Sequence, residues 1–71
     1  MNLSDIDKKI LNLLKKSPHS TYSIAKKLGI SWGTATTHCY KLKALNLIDS
    51  KIEESKFGHG QKIVWWKKDE K

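Results

Sequence analysis

Gly33, Thr36, Thr37, Tyr40, Lys41 and Ala44 share one arc of a helix when the residues are stepped at about 100° each. The arc carries hydroxyls, methyl groups, a phenol and an ammonium, and no carboxylate. Groups of these kinds hydrogen-bond base edges, pack against a thymine methyl and attract phosphate. Trp32 and Thr34 flank the arc at its N-terminal end. Ser31 precedes them as a helix cap, and a helix start presents amide donors and a positive dipole end to an anion. Lys26 and Lys27 lie before the arc in the chain, and Lys56, His59 and Lys62 after it. The chemistry implied is non-covalent recognition of nucleic acid. No carboxylate pair, nucleophile–base set or phosphate-cradling loop is in view, so no enzyme activity is expected.

The charge balance agrees. Fourteen basic residues against seven acidic ones give a net charge of +7 in 71 residues. All fourteen are lysine. Lysine grips phosphate as a point charge, whereas arginine makes the bidentate contact to guanine. Base reading would therefore fall to Thr36, Thr37 and Tyr40. Cys39 is the sole cysteine, which excludes an internal disulfide or a thiol pair for zinc. It falls on the apolar side of its helix, where a free cysteine acts as a small hydrophobe. His38 points elsewhere, and His19 and His59 are remote in sequence, so neither a metal nor another cofactor is expected.

The elements that must place these residues can be read from period and caps. Ser4, with Asp7 three residues on, starts a helix over Asp5 to Lys16, and Ser17-Pro18 stops it. Ser20 and Thr21 offer the next cap, for a short helix over about Tyr22 to Leu28. Gly29 suits the left-handed position that ends it. Ile30 bridges a tight turn to the helix capped by Ser31, in which Ala35, Cys39, Leu42 and Leu45 recur on the inner side. Asn46 suits a left-handed stop. After it the period changes from about 3.6 to 2. Ile48 and Ile52 share one face of a strand, Phe57-Gly58-His59-Gly60 forms a turn, and Gln61 to Trp66 is rich in strand formers. Ser20-Thr21-Tyr22 could add a short strand. Trp65 and Trp66 face opposite ways. One covers helices 1 and 3 and the other is more exposed, either as surface or as a platform for stacked bases. Trp32 either packs on the helix 2–3 turn or lies on a nucleic-acid backbone.

The order helix, short helix, turn, long helix, hairpin resembles winged helix-turn-helix regulators. The likeness rests on Ala25, Leu28, Gly29, Ile30 and Ser31, continues through Thr34-Ala35, His38-Cys39, Leu42, Leu45 and Asn46-Leu47-Ile48, and ends in the basic, glycine-containing segment Lys56 to Lys62. It covers about residues 4 to 66 and is strongest toward small regulators of archaea and their viruses. The resemblance implies an α+β fold, a three-helix winged helix-turn-helix with a C-terminal β-hairpin wing, as a single domain over residues 1–71 with a charged tail at 67–71. It also implies sequence-specific binding of double-stranded DNA and a role in transcription regulation. Ser31, Trp32, Gly33, Thr34, Thr36, Thr37, Tyr40 and Lys41 match the recognition-helix contacts. Lys26 and Lys27 reach the backbone on one flank, and Lys56, His59 and Lys62 reach the flanking groove from the wing.

The alternative is a winged helix that binds another protein, against which the lysine excess argues, because protein interfaces deplete lysine. Binding of left-handed duplex by shape ranks lower, as the asparagine and paired prolines expected of it are missing. No apolar run approaches the roughly 20 residues of a membrane span. The chain opens on a helix signal without a signal-peptide core, so a cytoplasmic setting is expected. No small-molecule effector is evident. The oligomeric state stays open between a monomer and a homodimer paired through helix 1 or the edge of the wing.

Overall fold

A computed structural model of the chain describes residues 2–54 and 60–68. Helix α1 spans Asp5–Lys16 and opens on a reciprocal capping box. The Asp7 amide donates to Ser4 Oγ at 3.1 Å, and the Ser4 amide to Asp7 Oδ2 at 2.9 Å. Ser17 turns extended before Pro18, and the short strand β1, His19–Ser20, follows. Ser20 then caps helix α2, Thr21–Leu28, by accepting from the Ser23 amide. The short strand expected over Ser20 to Tyr22 is thereby shifted. Its first residue is the helix cap, and Thr21 already belongs to the helix.

Gly29 closes α2 at φ +68°, and its amide donates back to Ala25 O. A Cβ at this position would meet nothing within 4 Å, so the demand for glycine is conformational and not steric. Gly29→Ala is expected to cost about 1–2 kcal/mol, read by urea denaturation, with no change in the fold.

Helix α3, Trp32–Ala44, begins at the Ser31 cap and packs across α2. Asn46 takes φ +65°, as its place in the sequence predicts, and the chain turns into the sheet. Strands β2, Ile48–Glu54, and β3, Gln61–Lys67, form an antiparallel hairpin with β1 on its far side, in the order β1-β3-β2. The core is Ile10 and Leu14 of α1, Ile24 and Ala25 of α2, Ala35, Cys39 and Leu42 of α3, Ile48 and Trp65. Every helix thus turns one face to a common centre that the sheet covers from one side.

One inward-facing residue of the sequence reading ends elsewhere. Leu45 is the C-cap of α3 and only half-buried, because the helix ends one residue before it. Ile52 follows Ile48 on the same strand face, yet it is 62% exposed while Ile48 is 1% exposed. Ile52 lies on the edge strand β2, while Ile63 opposite it on β3 is packed against the core. Of the two tryptophans, Trp65 is fully buried and Trp66 half-buried.

Trp65 fastens the parts together. Its Nε1 donates to Thr21 Oγ1 at 2.8 Å, and its ring meets the Tyr40 ring edge-on, with centroids 5.2 Å apart and planes at 89°. One side chain on β3 therefore fixes the start of α2 and the outer flank of α3.

Candidate nucleic-acid interface

The face of α3 follows from its cap and its inward stripe. Ala35, Cys39 and Leu42 are fully buried, so Gly33, Thr37 and Tyr40 turn outward and are exposed. Trp32 is 59% exposed and stands at the N-terminal end. Ser31 Oγ accepts from the Thr34 amide at 3.0 Å and donates to Thr34 Oγ1 at 2.9 Å. Both hydroxyls are thus engaged in the cap, and Thr34 is half-buried. Thr36 is half-buried too, and its hydroxyl donates to Trp32 O at 2.8 Å, leaving its lone pairs as acceptors. Thr37 keeps its donor free of any partner among the described residues. Tyr40 is half-exposed and held by Trp65, so its phenol is carried on an anchored ring.

Lys26 and Lys27 on α2 and Lys62 on β3 are exposed. Lys26 Nζ lies 5.8 Å from the centre of the Tyr22 ring. Lys56 and His59 lie outside the described residues. Lys41 differs most from the sequence reading. Its Nζ sits 2.7 Å from Asp7 Oδ2, turned toward α1. His38 Nδ1 lies 2.7 Å from Asp7 Oδ1, and since an ionised carboxylate only accepts, the histidine must be the donor. Helix α3 has no acidic residue of its own, but α1 brings a buried one to its side. Burial by itself pushes the Asp7 carboxyl up. Hydrogen bonds from Lys41, His38 and the Ser4 amide outweigh it and hold the group well below the usual carboxylate range. Lys41 and His38 thus brace α3 against α1, and the charge of Lys41 is met inside the protein.

A cleft of about 540 Å³ opens between the starts of α2 and α3 and the hairpin. Tyr22, Trp32 and Ile52, three of the four large apolar side chains most exposed to solvent, line it together with Ile63 and Lys62. Tyr22 was not among the candidate site residues of the sequence reading. Its place in the first turn of α2, two residues after the cap, is the signal that could have shown it.

Two further groups have structural explanations. Cys39 is fully buried, and burial pushes its thiol up to about 12, which suits an inert core residue. His19 is held between Ser17 Oγ at 3.2 Å and Ser23 Oγ at 3.1 Å. Burial, and then the charge of Lys27, lower its pKa. Among the described residues no three His, Cys, Asp or Glu side chains gather as metal ligands, and no helix is long and apolar enough to cross a membrane.

The chain belongs to the winged helix-turn-helix DNA-binding family, whose model matches residues 3–49, well over half its length. Two solved structures are similar to it, both of mutants of ZitR from Lactococcus lactis. One has a TM-score of 0.79 and 26% identity, over 97% of this chain and 45% of ZitR. The other, determined in complex with DNA, has a TM-score of 0.78 and 26% identity, over 96% of this chain and 44% of ZitR. The chain therefore spans less than half the length of ZitR. No match was found among curated proteins.

Proposed function

We propose that this chain binds double-stranded DNA in a sequence-dependent way and acts as a transcription regulator. The observation that carries the reading is the exposed face of α3, Gly33, Thr37 and Tyr40 with the acceptor of Thr36, between exposed lysines on α2 and the hairpin. The DNA complex of the similar ZitR supports it. In this arrangement α3 enters the major groove with its N-terminal half, and Lys26, Lys27 and Lys62 hold the phosphates on either side. Lys56 and His59 belong to the same reading as contacts of the wing tip. Lys41 takes a bracing role and adds little to phosphate attraction. A cytoplasmic setting and kinship with small archaeal or archaeal-virus regulators rest on the sequence alone.

Selection of bound duplexes from a random pool tests this. Thr37→Ala or Tyr40→Ala is expected to lower preference for the winning site by about 1–3 kcal/mol, the usual worth of a good base contact. Lys62→Ala is expected to weaken all duplexes alike and to reduce the salt slope by about one. A pool that shows no enrichment at low salt would overturn the proposal.

One observation favours a second reading, a protein-binding winged helix. The cleft gathers Tyr22, Trp32 and Ile52, and aromatic residues are enriched at protein interfaces. Recovery of a stoichiometric protein partner with no duplex binding at low salt would decide for it.

A further inference from the structure

Among the described residues β2 pairs only with β3, which leaves its other edge open. We infer that this edge pairs with the same edge of a second copy, antiparallel and centred on Ile52, so that two wings form one continuous sheet. The inference rests on the proposed DNA binding only for its purpose; the pairing itself follows from the strand.

Residues directly opposite one another in an antiparallel ribbon are either both hydrogen-bonded or both not, and the two kinds alternate along each strand. A two-fold pairing of identical strands must therefore place one residue opposite itself. Five centres are available between Asp49 and Glu53. Asp49, Lys51 and Glu53 would each set like charges face to face, which is destabilising. A centre at Ser50 would run the second strand beside Asn46, whose φ of +65° takes the chain out of extended geometry. Lys43 Nζ also lies 3.0 Å from Ser50 Oγ and fills the helix side of the strand there.

A centre at Ile52 satisfies every row. Ile52 stands opposite Ile63 within the hairpin, so pairing two copies sets four isoleucines in one line across the sheet, Ile63 and Ile52 of each copy. The 62% exposure of Ile52 is what that line would cover. On the other face Lys51 falls opposite Glu53 of the second copy, twice by symmetry. Glu53 also stands opposite Lys62 in its own hairpin, so charge alternates along each of these rows. Lys51 and Glu53 already approach to 3.5 Å within one strand, both solvent-exposed, where such a pair contributes little.

The two-fold axis of such a pairing stands perpendicular to the sheet, so both copies present their helices on the same side. The ribbon from Ser50 to Glu54 is short, so the dimer is weak in solution and strengthened by a DNA carrying two half-sites.

Disulfide trapping without DNA tests the pairing. Ile52→Cys places two thiols directly opposite, at Cβ separations of about 4.5–5.5 Å. The buried Cys39 does not compete. Under mild oxidation Ile52→Cys is expected to form covalent dimer about tenfold faster than Lys51→Cys or Glu53→Cys alone, while an equal mixture of those two crosslinks nearly as fast as Ile52→Cys. Equal rates for all three single variants, or capture of some other strand by Ile52→Cys, would overturn the inference. Duplex affinity measured on the unmodified chain separates the outcomes. Binding without trapping removes only the dimer, and trapping without binding removes only the proposed function.

Discussion

Trp65→Ala is expected to remove most of the stability of this domain. Truncating a fully buried tryptophan costs about 3–5 kcal/mol, and a chain of this length has a total of roughly 4–11 kcal/mol to lose. The location makes the effect severe. The indole fills the space between the sheet and the helices, holds Thr21 by a 2.8 Å hydrogen bond and supports the Tyr40 ring. Trp65→Phe keeps much of the volume and loses the bond to Thr21, so it is expected to cost about 1–3 kcal/mol. Chemical denaturation followed by circular dichroism checks both. A Trp65→Ala protein that unfolds within 1 kcal/mol of the parent, taken as roughly the size of an ordinary surface change, would show that the core does not centre on this residue.

The second large effect is expected at Asp7. Replacing its carboxylate by an amide leaves one acceptor oxygen for Lys41, His38 and the Ser4 amide, and turns an NH2 group toward a donor. Lys41 and His38 keep partial access to water, with 42% and 22% of their side chains exposed, so the loss stays near the lower range for buried pairs. Asp7→Asn is therefore expected to cost about 1–3 kcal/mol at pH 7. The pH dependence identifies the cause. Folding lowers the pKa of Asp7, so its contribution is complete above the ordinary value of 3.8 and is withdrawn as the pH falls below that, toward the folded-state value. The stability gap between the parent and Asp7→Asn should then narrow steadily below pH 3.8. A gap that stays constant through this range would mean that Asp7 acts by shape and not by charge. The same arrangement predicts that Lys41→Met lowers stability yet leaves the salt dependence of duplex binding nearly unchanged, unlike Lys62→Ala.

The fold was legible because its signals are local. Ser4, Ser20 and Ser31 sit at helix starts, Gly29 and Asn46 at the two left-handed stops, and the change of period after Asn46 marks the sheet. The outward arc of α3 was legible for the same reason, since helical spacing alone separates Thr37 and Tyr40 from Cys39. What depended on how elements cross was not. Asp7 reads as a capping residue, and in the structure it is one, but its carboxylate also meets side chains 31 and 34 positions away. No spacing rule connects α1 to the flank of α3 at that distance. Ile52 shares the face of Ile48, but its exposure was not legible, because alternation shows which face a residue shares and not whether anything covers that face. Tyr22 and Trp32 come together with Ile52 only through the angle between two helix starts and the hairpin.

The central claim is that the exposed face of α3 reads duplex sequence while the surrounding lysines hold the backbone. Equilibrium binding to the best selected duplex and to its scrambled counterpart, each across a range of salt, tests it most directly. The account predicts two lines on a log–log plot that fall with similar slopes and remain separated, because phosphate contacts are common to both duplexes and base contacts are not. Coincident lines, or affinity that does not change with salt, would contradict it.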